Sequence, residues 1–158
     1  MNDSEAIRAR REAIVRDHMQ DENTHDFDKV LATFPHPHYE IIPTGAVYDG
    51  IEEVSAYYED SRAAFPDQRN ELIALRHAED AVIVEFWLRG THLGAFRGMP
   101  PTGNAFEVRM TAYFIFEGDR LVCERVYFDA LSMLKQLLKG AGPVKLIRTL
   151  LGMRKGLA

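Results

Sequence analysis

Apolar residues recur at two different spacings along this chain, and the change from one spacing to the other divides it. From about Ser4 to Asn23 the spacing is helical: Ile7, Ile14 and Val15 share one side, and His18 continues that side one turn on, with Asp3 or Ser4 available as a cap. Asn23-Thr24-His25-Asp26 is a break, and a short second helix, Phe27 to Phe34, follows. His36-Pro37-His38 ends helical structure, because proline disfavours helix at the residue before it. Tyr39–Ile42 and Gly45–Tyr48 read as short strands. Asp49-Gly50-Ile51-Glu52 then opens a third helix with an aspartate cap and a glutamate three residues on; Ile51, Val54, Tyr58 and Phe65 carry its apolar face, and Phe65-Pro66-Asp67 stops it.

Beyond that point the apolar positions alternate, which is the strand period. Glu71–His77 and Ala81–His92 are separated by Ala78-Glu79-Asp80, and strands from about Ala105 to Phe116 and Leu121 to Phe128 are joined at Glu117-Gly118-Asp119. The connection from Thr91 to Gly103 is rich in glycine and proline and reads as a structured loop. A helix from Ala130 to Leu138 follows, then a hinge at Gly140-Ala141-Gly142-Pro143. No repeat or low-complexity stretch is visible. Helices followed by long antiparallel strands is an α+β pattern. A curved sheet wrapped around the helices leaves a cone-shaped cavity, and its second face needs cover, so a homodimer is expected. Residues 1–138 are expected to form one domain, with 139–158 a separate tail.

A length of 158 residues, 46% hydrophobic and 27% charged, suits one soluble domain. A single cysteine, Cys123, excludes an internal disulfide and a thiolate cage, and fits a cytoplasmic location. The acidic, polar start is unlike a secretory signal, and no apolar run is long enough to span a bilayer. The net charge of −5 conceals an asymmetry: six of the 19 basic residues and none of the 24 acidic ones lie after Asp129, leaving a body at −11 and a tail at +6. An acidic body argues against nucleic acid as a ligand. In the tail, Val144, Leu146, Ile147, Leu150, Leu151 and Met153 share one helical side against Lys145, Arg148 and Lys155. Docking on the protein or its dimer mate is the favoured use of that face, membrane contact the other.

The segment Gly90-Thr91-His92-Leu93-Gly94-Ala95-Phe96-Arg97-Gly98-Met99-Pro100-Pro101-Thr102-Gly103 resembles the signature loop of the SnoaL-like polyketide cyclases and ester cyclases of the nuclear transport factor 2-like superfamily. Tyr48-Asp49-Gly50-Ile51, Ala64-Phe65-Pro66-Asp67, Phe116-Glu117-Gly118 and Asp129 with Leu134-Lys135-Gln136-Leu137 match in the same order, over roughly Glu12 to Leu138. The resemblance implies a conical α+β barrel with a pocket for a small, largely apolar molecule. It also implies an intramolecular aldol chemistry that uses an Asp three positions before the closing Asp, where this chain has Val126, and a His on the preceding strand, where it has Thr111. The chain therefore departs from the cyclase pattern at both acid/base positions.

Other residues offer substitutes. Glu124 shares a strand face with Val122, Val126 and Phe128. A carboxylic acid buried there would have a raised pKa and could shuttle a proton beside a carbonyl, the strategy of ketosteroid isomerase; the plainer reading is a surface or dimer-interface glutamate. Glu85 shares a face with Ile83, Trp87 and Arg89, and is either a pocket acid beside Trp87 or a carboxylate paired with Arg109 or Arg125. By the family register Arg109, Thr111 and Tyr113 line the cavity, where Tyr113 and Thr111 could hydrogen-bond an enolate oxygen; alternatively they only cover a polar sheet face. Arg125 and Asp129 read as structural ion-pairing residues, paired with each other or with a neighbour. His18 is a pocket base or a satisfied core histidine, and His92 a loop-shaping hydrogen bonder. The six histidines show no recognised ligand spacing, so no metal is expected. Phosphate loop, dinucleotide fingerprint and serine elbow are all absent, so no cofactor is expected either. The leading expectation is cofactor-independent acid/base chemistry of the aldol or isomerase type on a carbonyl compound, catalysed through Glu124, Glu85 and His18, with Tyr113, Thr111, Arg109, Trp87, Val126 and Phe128 contacting substrate. The rivals are a non-catalytic protein binding a hydrophobic ligand in the same pocket, and a dimeric accessory protein.

Overall fold

The computed structural model describes residues 3–142; the amphipathic segment of the tail, Val144 to Lys155, lies outside the described residues. The elements run α1 (Asp3–Thr24), α2 (Phe27–Ala32), β1 (His38–Ile41), β2 (Ala46–Asp49), α3 (Ile51–Ala64), β3 (Arg69–His77), β4 (Ala81–Thr91), β5 (Ala105–Glu117), β6 (Arg120–Phe128) and α4 (Ala130–Leu137). Local chemistry fixes several boundaries. Gly50, at φ 86, occupies the cap of α3 where Asp49 was expected, and the Glu53 carboxylate reaches back to the Asp49 N–H at 2.8 Å. Asp129 caps α4 by accepting from the Ser132 N–H at 2.9 Å. It is therefore a helix cap, and of the two expected pairings Arg125 takes a neighbour, Glu40.

Six strands form one sheet in the order β2-β1-β6-β5-β4-β3. β1 pairs with β6 in parallel and every other neighbouring pair is antiparallel, so the sheet is mixed. It is also open. The expected conical barrel is not formed: β2 and β3 are free edges, and the strands at the β2–β1 side are only four residues long. At about 3.3 Å per residue such strands reach little more than 13 Å.

The two faces of the sheet differ. In β4 the buried set is Val82, Val84, Phe86 and Leu88, and in β5 it is Phe106, Val108, Met110, Ala112, Phe114 and Phe116. These inner-face residues join Val15, Val30, Val54, Tyr58 and Phe65 from the helices in one core. A bulge on β6, opposite the Ile115–Phe116 step of β5, leaves Val122 unmatched. Through it Leu121, not Val122, becomes fully buried, while Glu124, opposite Phe114, still faces the helices. Arg11 holds α1 to both long hairpins, donating to the Gly118 and Glu79 carbonyls at 2.8 Å each.

Candidate functional site

Between the inner face of the sheet, α3 and α4 lies a pocket of about 870 Å³, a size suited to a small organic molecule. Leu88, Met110, Val126 and Phe128 form its sheet wall, Tyr48 and Tyr57 line it on another side, and Met133, Leu134 and Leu137 of α4 close it. Glu53, Asp60 and Arg97 are its charged lining residues. α4 is tied to β5 through Gln136, whose carbonyl oxygen accepts from the Glu107 N–H and whose amide donates to the Glu107 carbonyl, both at 2.9 Å.

The glycine-rich loop supplies Ala95, Phe96 and Arg97 to the pocket. Its shape is imposed by the backbone. The Leu93 and Gly94 N–H groups donate to the Ala64 carbonyl at 3.0 and 3.1 Å, so the loop lies directly on the end of α3. A Cβ at Gly94 would collide with the Ala63 carbonyl oxygen, and that close approach requires glycine. His92 is fully buried, and its Nδ1 lies 3.1 Å from the Thr102 hydroxyl across the loop, which is a loop-shaping position.

One layer behind the pocket wall is a buried polar cluster. His18 is fully buried on α1. Its Nε2 is 3.2 Å from Glu124 Oε2, 3.1 Å from the Tyr39 hydroxyl and 3.8 Å from Glu22 Oε1. The Tyr39 and Tyr58 hydroxyls are 2.6 Å apart, and the Tyr58 hydroxyl donates to Glu22 Oε1 at 2.6 Å. Asn70 donates to the other Glu22 oxygen. Arg62, buried with its guanidinium over the Phe27 ring, donates to the Glu22 carbonyl.

Proton counting assigns the charge on His18. Its Nδ1 is 2.9 Å from the Thr33 hydroxyl, whose own hydrogen goes to the Val30 carbonyl at 2.6 Å, so Nδ1 must donate. The single Tyr58 hydrogen goes to Glu22, so Tyr39 donates to Tyr58 and the Tyr39 oxygen is left to accept from Nε2. With Glu22 ionised both ring nitrogens donate, and His18 is then an imidazolium. Burial alone pulls its pKa down, but the hydrogen bond and charge of Glu124, with Glu22 and Asp21, hold it above the ordinary value. Burial and the neighbouring Glu124 charge raise the pKa of Glu22. Burial first, then the two carboxylates, push Tyr39 and Tyr58 well above the usual phenol range, so both stay neutral donors. His18 and Arg62 against Glu22 and Glu124 leave the cluster electrically balanced.

The sequence profile of the SnoaL-like polyketide cyclase family matches residues 13–137. The chain belongs to this family. Solved structures of similar fold include IdmH, a provisionally assigned polyketide cyclase from Streptomyces antibioticus (24% identity, 80% of this chain and 97% of that one, TM-score 0.68). AclR, a provisionally assigned hydroxylase from Streptomyces galilaeus, is similar at 21% identity over 83% of this chain and 97% of that one, with a TM-score of 0.71. A protein from Xanthomonas campestris pv. campestris, also provisionally assigned as a polyketide cyclase, reaches a TM-score of 0.76 at 15% identity over 83% and 98% of the two chains. No protein of curated function matches the chain.

Within this SnoaL-like fold the expected site residues fall into two groups. Glu124 and His18 meet in the buried cluster, and Val126 and Phe128 line the pocket. Glu85, Trp87, Arg109, Thr111 and Tyr113 do not join them. They lie on the outer face, where Glu85 is opposite Thr111, Trp87 opposite Arg109, and Ile83 opposite Tyr113. The register expectation that placed Arg109, Thr111 and Tyr113 in the cavity is corrected: the cavity-side residues of β5 are their neighbours, such as Met110. Glu85 pairs with Arg109, one of the two partners expected, and also with Arg76 at 3.7 Å. Arg125 pairs with Glu40 at 2.5 Å. Glu22, Tyr39, Tyr58 and Thr33 were missed. Only Glu22 carried a local signal, lying four residues after His18 on one helix face; the two tyrosines arrive from β1 and α3.

Proposed function

We propose that this SnoaL-family chain takes a small, largely apolar carbonyl compound into the pocket and transfers protons for it through Glu124 and His18, with no cofactor. The observation that carries this reading is the buried His18–Glu124 ion pair directly behind an apolar pocket wall: Val126 lines the pocket and Glu124 lies two residues along the same strand face. Tyr57 lines the pocket and also packs on Tyr39, with ring centroids 6.1 Å apart, so it stands between ligand and cluster. Its movement would admit an α-carbon to Glu124. The carboxylate takes the α-proton, the C–H electron pair moves onto the carbonyl oxygen as an enolate, and a tyrosine hydroxyl donates to that oxygen. Delivery of that proton from Glu124 to a different, conjugated carbon completes an isomerisation; alternatively the enolate attacks a second carbonyl, and the new alkoxide takes the proton from Glu124 to complete an aldol closure.

A second reading, non-catalytic binding, is favoured by one observation: neither Glu124 nor His18 is itself a pocket-lining residue. Deuterium exchange separates the two. β-Tetralone, an apolar ketone with enolisable hydrogens, is incubated with the chain in heavy water and followed by NMR. Accelerated exchange that Glu124→Gln abolishes while ketone binding persists supports proton transfer. Binding without acceleration supports the second reading, and unchanged exchange in Glu124→Gln removes Glu124 from the chemistry.

A homodimer is part of the same proposal. Its contact is placed on the outer sheet face around Trp87, Tyr113 and Tyr127, where Tyr127 is 41% exposed, and sedimentation velocity of wild type against Tyr127→Glu checks it. Among the described residues no helix is long and apolar enough to cross a membrane.

A further inference from the structure

We propose that His38, Glu40 and Cys123, on the outer face of the β1–β6 pair, form a binding site for a divalent cation of the zinc type. The parallel register, Tyr39 beside Glu124 and Glu40 beside Arg125, brings His38 level with Cys123. One nitrogen, one oxygen and one sulfur from these three residues all lie within 4.8 Å of one another. A tetrahedral zinc with bonds of about 2.0–2.3 Å needs its ligand atoms about 3.5 Å apart, so side-chain adjustments on the order of 1 Å close the set.

The surroundings are arranged as a metal site requires. His38 Nδ1 lies 2.8 Å from Asp49 Oδ1, its cross-strand neighbour on β2. A carboxylate only accepts, so Nδ1 carries the proton and Nε2 is free to present a lone pair, the arrangement in which a second carboxylate orients a zinc-bound histidine. That Nε2 faces Glu40 Oε1 at 3.5 Å. Two acceptor atoms directed at each other call for a positive charge between them, a proton or a metal. Arg125 holds both Glu40 oxygens, donating from Nε to Oε2 at 2.5 Å and from Nη2 to Oε1 at 3.3 Å, which fixes the carboxylate and leaves Oε1 its second lone pair. Nitrogen, oxygen and sulfur together suit a borderline cation such as Zn²⁺ better than Mg²⁺ or Ca²⁺. The Cys123 thiol proton leaves to solvent on binding. The thiolate, Glu40 and Asp49 then balance Zn²⁺ and Arg125, and water takes the fourth position. The site was invisible as a spacing, because its ligands come from strands 83 residues apart.

The test uses the full-length, tag-free chain stripped of metal. Zinc is titrated calorimetrically, and cobalt(II) is titrated as a spectroscopic substitute. The expected result is one equivalent of zinc bound, and a cobalt complex with a thiolate-to-metal charge-transfer band in the near ultraviolet. Cys123→Ser loses the band, His38→Gln weakens zinc at least tenfold, and Asp49→Asn weakens it about 10–100-fold while keeping the band. His38 is half-buried and Asp49 exposed, both at the outer edge of the sheet, so their replacement is expected to leave the fold intact, which circular dichroism checks. A cobalt complex without the band, or zinc affinity unchanged in Cys123→Ser and His38→Gln, overturns the proposal. Binding that survives those changes but disappears in Glu22→Gln would place the cation at the buried His18–Glu22–Glu124 trio and equally overturn it.

Discussion

The inner and outer faces of this sheet both carry a glutamate in mid-strand, and the two are held in opposite ways. Glu124 on the inner face is 5% exposed and shares a balanced cluster with His18, Glu22 and Arg62, behind the pocket. Glu85 on the outer face pairs with Arg109 and Arg76 at a solvent-accessible surface, as Arg89 does with Glu71 and Glu107. In water a charge is solvated whether or not it finds a partner, whereas in the interior it must find one. The inner face can therefore hold a reactive pair in a fixed geometry, and the outer face cannot.

The contrast is broken most severely at His18. His18→Ala leaves Glu124 and Glu22 facing each other without their cation, and removing one partner of a buried pair costs about 3–5 kcal/mol; urea denaturation measures it. Next comes the loop that seats the pocket. Gly94→Ala forces a methyl group into the Ala63 carbonyl and is expected to cost about 1–3 kcal/mol, the range for overpacking, with weakened ligand binding as the second readout.

The pH dependence sharpens the same comparison. The folded pKa of His18 is raised above its ordinary 6.5. The folded state therefore holds this proton more tightly than the unfolded state does. The resulting stability is present in full below 6.5 and is lost as pH rises through the folded value. The stability difference between wild type and His18→Gln is expected to shrink from mildly acidic to alkaline pH, and a difference that grows with pH would contradict the assignment. The smallest effect is expected outside: Arg109→Ala, which exposes only a surface carboxylate, is expected to change stability by under about 1 kcal/mol.

The α+β class, the element order and the loop were legible in the sequence because they rest on local period and on glycine and proline chemistry. The open sheet was not, since closure depends on whether β2 can meet β3, and no local pattern reports that. The inward turn of Glu124 was legible from its face-mates Val126 and Phe128, although the bulge at Val122 put Leu121 in place of the third expected face-mate, Val122. The outer-face residues were misplaced for a definite reason: Arg109, Thr111 and Tyr113 were assigned to the cavity by the family register, and alternation alone does not say which face is covered by helices. The tyrosines of the cluster were invisible because their hydroxyls meet His18 only through tertiary packing of β1 and α3.

The most direct test of the whole account is the protonation of His18, read by long-range nitrogen–proton NMR correlation on the nitrogen-15-labelled chain at neutral pH. The buried pair with Glu124 predicts that both His18 ring nitrogens carry a proton and that they keep it above the pH at which an exposed histidine has lost one. A His18 ring with one bare nitrogen at neutral pH would contradict it.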